Sequence, residues 1–137
     1  MNRYRFCKAF NNKPLISIIT AVFNGEKYLE QTIKSIINQT YKNFEYIIID
    51  GGSTDGTLEI IKKYEDKISY WISEKDKGIS DAFNKGVTAA KGDYINFQGD
   101  GDGFLSSETL EEIFKDIKAG ESSIISTRIQ RVGRKRK

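Results

Sequence analysis

From residue 15 to residue 127 the chain alternates short apolar runs with one-sided apolar stripes. Residues 15–22 (LISIITAV) form a β-rich run just after Pro14. Residues 28–38 follow with Leu29, Ile33, Ile36 and Ile37 at helical spacing, which predicts an amphipathic helix. Residues 44–49 (FEYIII) are almost continuously apolar, as a strand covered on both faces should be. The glycine-rich turn at 50–56 (DGGSTDG) ends that strand and offers caps for a helix over 57–64. Residues 68–73 read as a further short strand. Ile79, Ala82, Phe83, Gly86, Val87 and Ala90 trace a regular helical stripe, and 94–98 is the next strand. Leu110, Ile113, Phe114 and Ile117 mark another helix, capped near Ser106 or Ser107, and 123–127 has the pattern of a last strand.

Nine elements therefore alternate between strand and helix, which predicts an α/β fold: a mostly parallel sheet flanked by helices on both faces. Such sheets bind ligands beyond the carboxyl ends of their strands. Function is thus expected at residues 20–24, 50–56, 73–80 and 98–104.

Composition narrows the chemistry. The 137 residues include one cysteine, Cys7, and no histidine, which excludes an internal disulfide, Cys/His zinc sites and His-dependent nucleophilic mechanisms. The overall charge of +3 conceals a division. Arg3, Arg5, Lys8 and Lys13 precede residue 15 without an acid, and six bases close the chain over 128–137, again without an acid. Between them lie 12 bases and all 19 acids, a net charge of −7. The chain divides into a basic segment (1–13), one globular domain (14–127) and a basic tail (128–137). That distribution disfavours nucleic-acid binding; the tail suits peripheral contact with anionic lipid. The first ten residues lack the apolar core of a secretory signal, and no run approaches a membrane span, so a cytoplasmic protein is expected.

Three strand ends carry candidate chemistry. Neither the loop at 20–25 nor the turn at 51–56 has the spacing of a dinucleotide fingerprint or a P-loop. Asp50 ends a buried strand, where its carboxylate needs partners: a bound ligand, or the amides of the following turn. Asp100 and Asp102, separated by one glycine after a strand, could approach one hard cation, Mg²⁺ or Mn²⁺; a solvated Asp-Gly turn is the plainer reading. Asp81, Asn84 and Lys85 lie opposite the apolar stripe of their helix, with Asp81 and Lys85 spaced for a surface ion pair. The charged stretch 74–78 ahead of them suits a mobile loop at the mouth of a site.

In order, the blocks LISIITAVFN (15–24), SIINQTY (35–41), FEYIIIDGGSTDGT (44–57), SEKDKGISDAFNKG (73–86) and GDYINF (92–97) resemble family 2 glycosyltransferases of the GT-A fold. The likeness is greatest to the branch that builds bacterial capsule, exopolysaccharide and O-antigen chains. It implies a nucleotide-diphosphate sugar donor, a divalent metal and a glycan or lipid-linked acceptor at the inner membrane face. By position, Thr20, Ala21, Phe23 and Asn24 would line the nucleoside pocket and Asp50 would bond the base. Asp81, Asn84 and Lys85 would border ribose, diphosphate or sugar. Asp102 would bind metal, with Asp100 as a further acid for metal or donor. The implied reaction is an inverting displacement with metal-assisted loss of the nucleotide.

Two departures stand out: Gly51 where many relatives carry a second acid, and Phe83 where an arginine is frequent. The resemblance also places the general base and acceptor site in a second half, so no residue here matches that base, and the chain is expected to be the donor-binding part. A non-catalytic nucleotide-binding module on the same fold is the alternative.

Overall fold

A computed structural model of the chain describes residues 13–99, 101–104 and 106–114. The order is β1 (Ile16–Val22), α1 (Leu29–Ile37), β2 (Phe44–Asp50), α2 (Thr57–Lys63), a 3₁₀ turn (Glu65–Lys67), β3 (Tyr70–Ser73), α3 (Ile79–Ala89), β4 (Tyr94–Phe97) and α4 (Thr109–Phe114). The expected last strand at 123–127, both basic segments up to residue 12 and from 128, and Asp100 lie outside the described residues. The third strand begins two residues later than its apolar pattern predicts. The 3₁₀ turn draws the Ile68 amide onto the Glu65 carbonyl at 3.2 Å, so pairing starts only at Tyr70.

All four strands are parallel, in the order β3-β2-β1-β4. The first two crossovers run outward from β1 to β3, and the third returns past β1 to β4. Crossovers share one hand, so reversing direction moves the connecting helix to the other face. Hence α1, α2 and α4 pack on the face of Ile16, Ile18, Val22, Tyr46 and Ile48, whereas α3 covers Ile19, Ala21, Ile47 and Ile49. The central strands are consequently buried on both faces along their length, as their unbroken apolar runs require. Gly86 lets α3 approach closely: a Cβ there would stand 2.5 Å from Cγ2 of Ile19.

Hydrogen bonds at the amino end of the sheet hold this register. Buried Glu45 accepts from the Ser17 hydroxyl at 2.5 Å and from the Lys91 amide at 2.6 Å, while Gly92 N–H donates to the Ser17 hydroxyl oxygen at 2.8 Å. At the carboxyl end Val22, Asp50 and Ser73 are level across β1, β2 and β3. β4 stops earlier, its Phe97 opposite Ile19. That three-residue step is about 10 Å of strand rise. Beyond Ile19, β1 therefore has no β4 partner at the point where the strand order reverses, the place where open α/β sheets take ligands.

Candidate functional site

The Asp50 turn is the most enclosed part of this rim. Asp50 has no exposed surface. Its Oδ2 accepts from Gly52 N–H at 3.0 Å, Ser53 N–H at 2.8 Å and the Ser73 hydroxyl at 2.8 Å, and Oδ1 accepts from the Ser53 hydroxyl at 2.5 Å. Of the two partners open to this carboxylate, the structure supplies the amides of the following turn, and adds two hydroxyls. Asp50 thereby welds the ends of β2 and β3.

The same turn is braced to the loop after β1. Asn24, the one non-glycine residue at positive φ (52°) among the described residues, donates its amide to the Ser53 hydroxyl at 2.7 Å. Its side-chain oxygen accepts from Thr54 N–H at 2.8 Å. Gly25 N–H reaches the Thr57 hydroxyl at 2.8 Å, and Glu26 accepts from Gly56 N–H at 2.7 Å. Asp55 accepts from both the amide and the hydroxyl of Thr57, which open α2, and these bonds hold its carboxyl below the usual carboxylate range. Thr20 is fully buried and shares a 2.8 Å hydrogen bond with the Tyr46 hydroxyl, while Ala21 packs beneath α3. Phe23 instead is 61 % exposed at the rim. Burial pushes the Tyr46 hydroxyl far above its ordinary pKa, so it stays protonated.

A second group surrounds the start of α3. Lys85 Nζ lies 3.0 Å from Glu74 and 3.7 Å from Asp81, so the expected ion pair forms but is the longer of two. The Glu74 hydrogen bond is the main reason the ammonium titrates above its ordinary value. Asp81 also accepts from Lys77 N–H at 3.0 Å, and Asp76 from Gly78 N–H at 3.1 Å. The stretch expected to be a mobile loop is thus tied to α3 and to itself. Asn84 is exposed one turn further on.

The turn after β4 climbs beside β1: Gln98 N–H donates to the Ile19 carbonyl at 2.8 Å. Thr32, buried on α1, anchors it by donating to the Asp102 carbonyl at 2.7 Å and accepting from Gly101 N–H at 2.8 Å. The Asp102 side chain is exposed, with Oδ2 accepting from Gly99 N–H at 2.9 Å. Among the described residues no three acids or other soft or hard ligands gather into a protein-only metal cage. A single accessible carboxylate fits a hard cation that draws its remaining ligands from water and a phosphate.

Parallel strands in this order, a polar rim at their carboxyl ends and an accessible acid at the strand reversal are one side of the finding. The other is sequence: residues 17–137 match the profile of glycosyl transferase family 2. The chain belongs to that family. A cholesterol galactosyltransferase of Borreliella burgdorferi is 40 % identical over 116 residues, spanning 83 % of this chain and 32 % of that protein. A Bacillus subtilis glycosyltransferase assigned to teichuronic acid biosynthesis, TuaG, is 37 % identical over 105 residues, 74 % of this chain and 41 % of that one. The crystal structure of Staphylococcus aureus TarS (residues 1–349) with UDP-GlcNAc superposes with a TM-score of 0.64 at 28 % identity, covering 71 % of this chain and 29 % of that one. The family 2 domain therefore has the GT-A fold, and the chain spans less than half the length of these relatives. Among the described residues no helix is long and apolar enough to cross a membrane.

Of the residues singled out by the motifs, Phe23, Asn24, Asp81, Asn84, Lys85 and Asp102 reach the surface, whereas Thr20, Ala21 and Asp50 lie beneath it. Thr32 was not expected at this rim, and Ser53, Ser73 and Asp76 fall in the loops expected there without having been singled out as site residues. Thr32 falls on the buried stripe of a helix and gives no signal; Ser53 and Asp76 stood in polar turns whose partners sequence does not name.

Proposed function

We propose that the domain binds a nucleoside-diphosphate sugar and serves sugar transfer to a glycan or lipid-linked acceptor in bacterial surface polysaccharide synthesis. The observation that carries this reading is the accessible Asp102 at the strand reversal of a family 2 domain. Exposed Phe23 offers a ring for the base with exposed Asn24 beside it, and buried Thr20, Ala21 and Asp50 support the rim from beneath. Lys85, Asp81 and Asn84 flank the path of diphosphate and sugar. Asp102, with Asp100, would hold a divalent cation, Mn²⁺ or Mg²⁺, whose chemistry is to neutralise charge on a departing nucleoside diphosphate. Lys85 is protonated at neutral pH and set between Glu74 and Asp81, so it can turn toward phosphate oxygens without a change of charge. TarS was crystallised with UDP-GlcNAc. The general base and acceptor site belong to residues other than those described, and the basic tail suits contact with anionic lipid.

Calorimetric titration of UDP and GDP, each with and without Mn²⁺, tests the reading. Metal-dependent binding that Asp102→Ala abolishes supports it. Absence of nucleotide binding under either condition overturns it and leaves the interaction-module alternative.

A further inference from the structure

Helix α1 buries Leu29, Ile33 and Ile36, yet polar Thr32 on it and Gln39 just past its end also have no exposed surface. Partly exposed Ser35 stands between them, and the spacing puts all three along one side of the helix. A buried hydroxyl or amide is costly unless it is bonded. These find their partners in the segment that follows β4. Thr32 donates to the Asp102 carbonyl at 2.7 Å and accepts from Gly101 N–H at 2.8 Å. The Ser35 hydroxyl accepts from Phe104 N–H at 3.3 Å. Gln39 donates to the Ser106 carbonyl at 2.7 Å and accepts from Leu110 N–H at 3.0 Å, where α4 begins. The approach is close at Gly103, where a Cβ would stand 2.8 Å from the Ser35 hydroxyl oxygen.

Each of these bonds ends on backbone, so together they set the path of the segment without engaging its side chains. The sheet does not set it: among the described residues β4 pairs with β1 only as far as Phe97. Thr32 is the member that holds the exposed acid's own turn, and Gly101 within that turn takes a φ of 92°. Neither Thr32 bond involves the Asp102 carboxylate. A cation held by one protein carboxylate and a phosphate is sensitive to where that carboxylate stands, and supporting hydrogen bonds decide it. We infer that Thr32 is a positioning residue for the cation, acting through the backbone of Gly101 and Asp102. It thereby sets how strongly Mn²⁺ joins a nucleoside diphosphate to the domain, from a position 70 residues earlier in the chain. Gln39, at the far end of the segment, is scaffold. This rests on the donor-binding reading, and deepens it.

The competing role for Thr32 is general fastening of the loop, which lowers stability without acting on the metal in particular. Thr32→Val keeps the side chain's shape and removes both bonds, Thr32→Ser restores a hydroxyl, and Gln39→Met loosens the far end. Gly101→Ala, strained at its positive φ, distorts the same turn without touching the buried face of α1. UDP and GDP are titrated into each chain with and without Mn²⁺. Bound Mn²⁺ is followed by electron paramagnetic resonance, and thermal melts give the loss of stability. In Thr32→Val the gain in nucleotide affinity from Mn²⁺ should fall about tenfold or more, with less Mn²⁺ bound at equal nucleotide. Thr32→Ser should recover most of that gain, and Gly101→Ala should reduce it. Gln39→Met should melt lower and keep it. A gain unchanged in Thr32→Val and Gly101→Ala, not recovered in Thr32→Ser, or lost equally in Gln39→Met overturns this inference alone. Wild-type nucleotide binding that ignores Mn²⁺ overturns the metal assignment and this inference, and leaves nucleotide binding in place. No binding of either nucleotide overturns the donor reading and this one with it.

Discussion

Asp50 and Asp102 are both acids at the carboxyl end of a strand, and the fold treats them in opposite ways. Asp50 ends a strand paired on both sides, level with its neighbours, and four donors from its own turn and from β3 close around it. Asp102 follows a strand that stops three residues short, and its turn is fastened through the backbone by Thr32, which leaves the carboxylate in the open. A carboxylate at a strand end becomes scaffold when level neighbours supply donors. It stays available when the strand end is stepped and the backbone carries the anchoring.

The contrast breaks most visibly at Asp50. Asp50→Ala strands the amides of Gly52 and Ser53, each orphaned group costing about 1–3 kcal/mol. A loss of about 3–5 kcal/mol in urea denaturation is expected, with nucleotide binding lost only because the rim collapses. Full stability in that variant would show that the enclosure is not structural. Gly86→Val tests the platform beneath both turns. Overpacking against Ile19 should cost about 1–3 kcal/mol, read as a lower urea midpoint at unchanged slope. Ser73→Ala, which removes one of Asp50's four donors, should cost about 1 kcal/mol.

At the other pole, Asp102→Ala should change stability by no more than about 0.5 kcal/mol while removing the Mn²⁺ dependence of UDP binding. Substantial destabilisation there would make Asp102 a second Asp50. The smallest effect concerns Asp55, whose bonds to Thr57 lower its folded pKa below the unfolded one. Its contribution is present above the unfolded pKa and disappears as pH falls through the lower folded value. The stability difference between wild type and Asp55→Asn should therefore be level from neutral pH to about 5, and shrink below about 4.

Among the described residues hydrophobic periodicity was sufficient for the strands and helices, because β1 and β2 are covered on both faces and α1 and α3 on one, and burial writes itself into side-chain type. Only β3 was misjudged at its start, where Ile68 is buried by a 3₁₀ turn and not by pairing. Motif position located the rim correctly but could not rank the residues on it. Thr20 sits in the same motif as Phe23 and Asn24, and Asp50 ends the strand of another, yet both side chains are buried in the fold.

By itself, the sequence determined an α/β domain of glycosyl transferase family 2, its acidic body, and the four loops at which a ligand would be met. Only the tertiary structure decided which acids those loops expose. That decision depends on register: Asp50 level with Ser73, β4 ending opposite Ile19, and Gly51 leaving room for Asp76. Register is a relation between segments far apart in the chain, and a carboxylate's availability depends on donors that such relations bring to it.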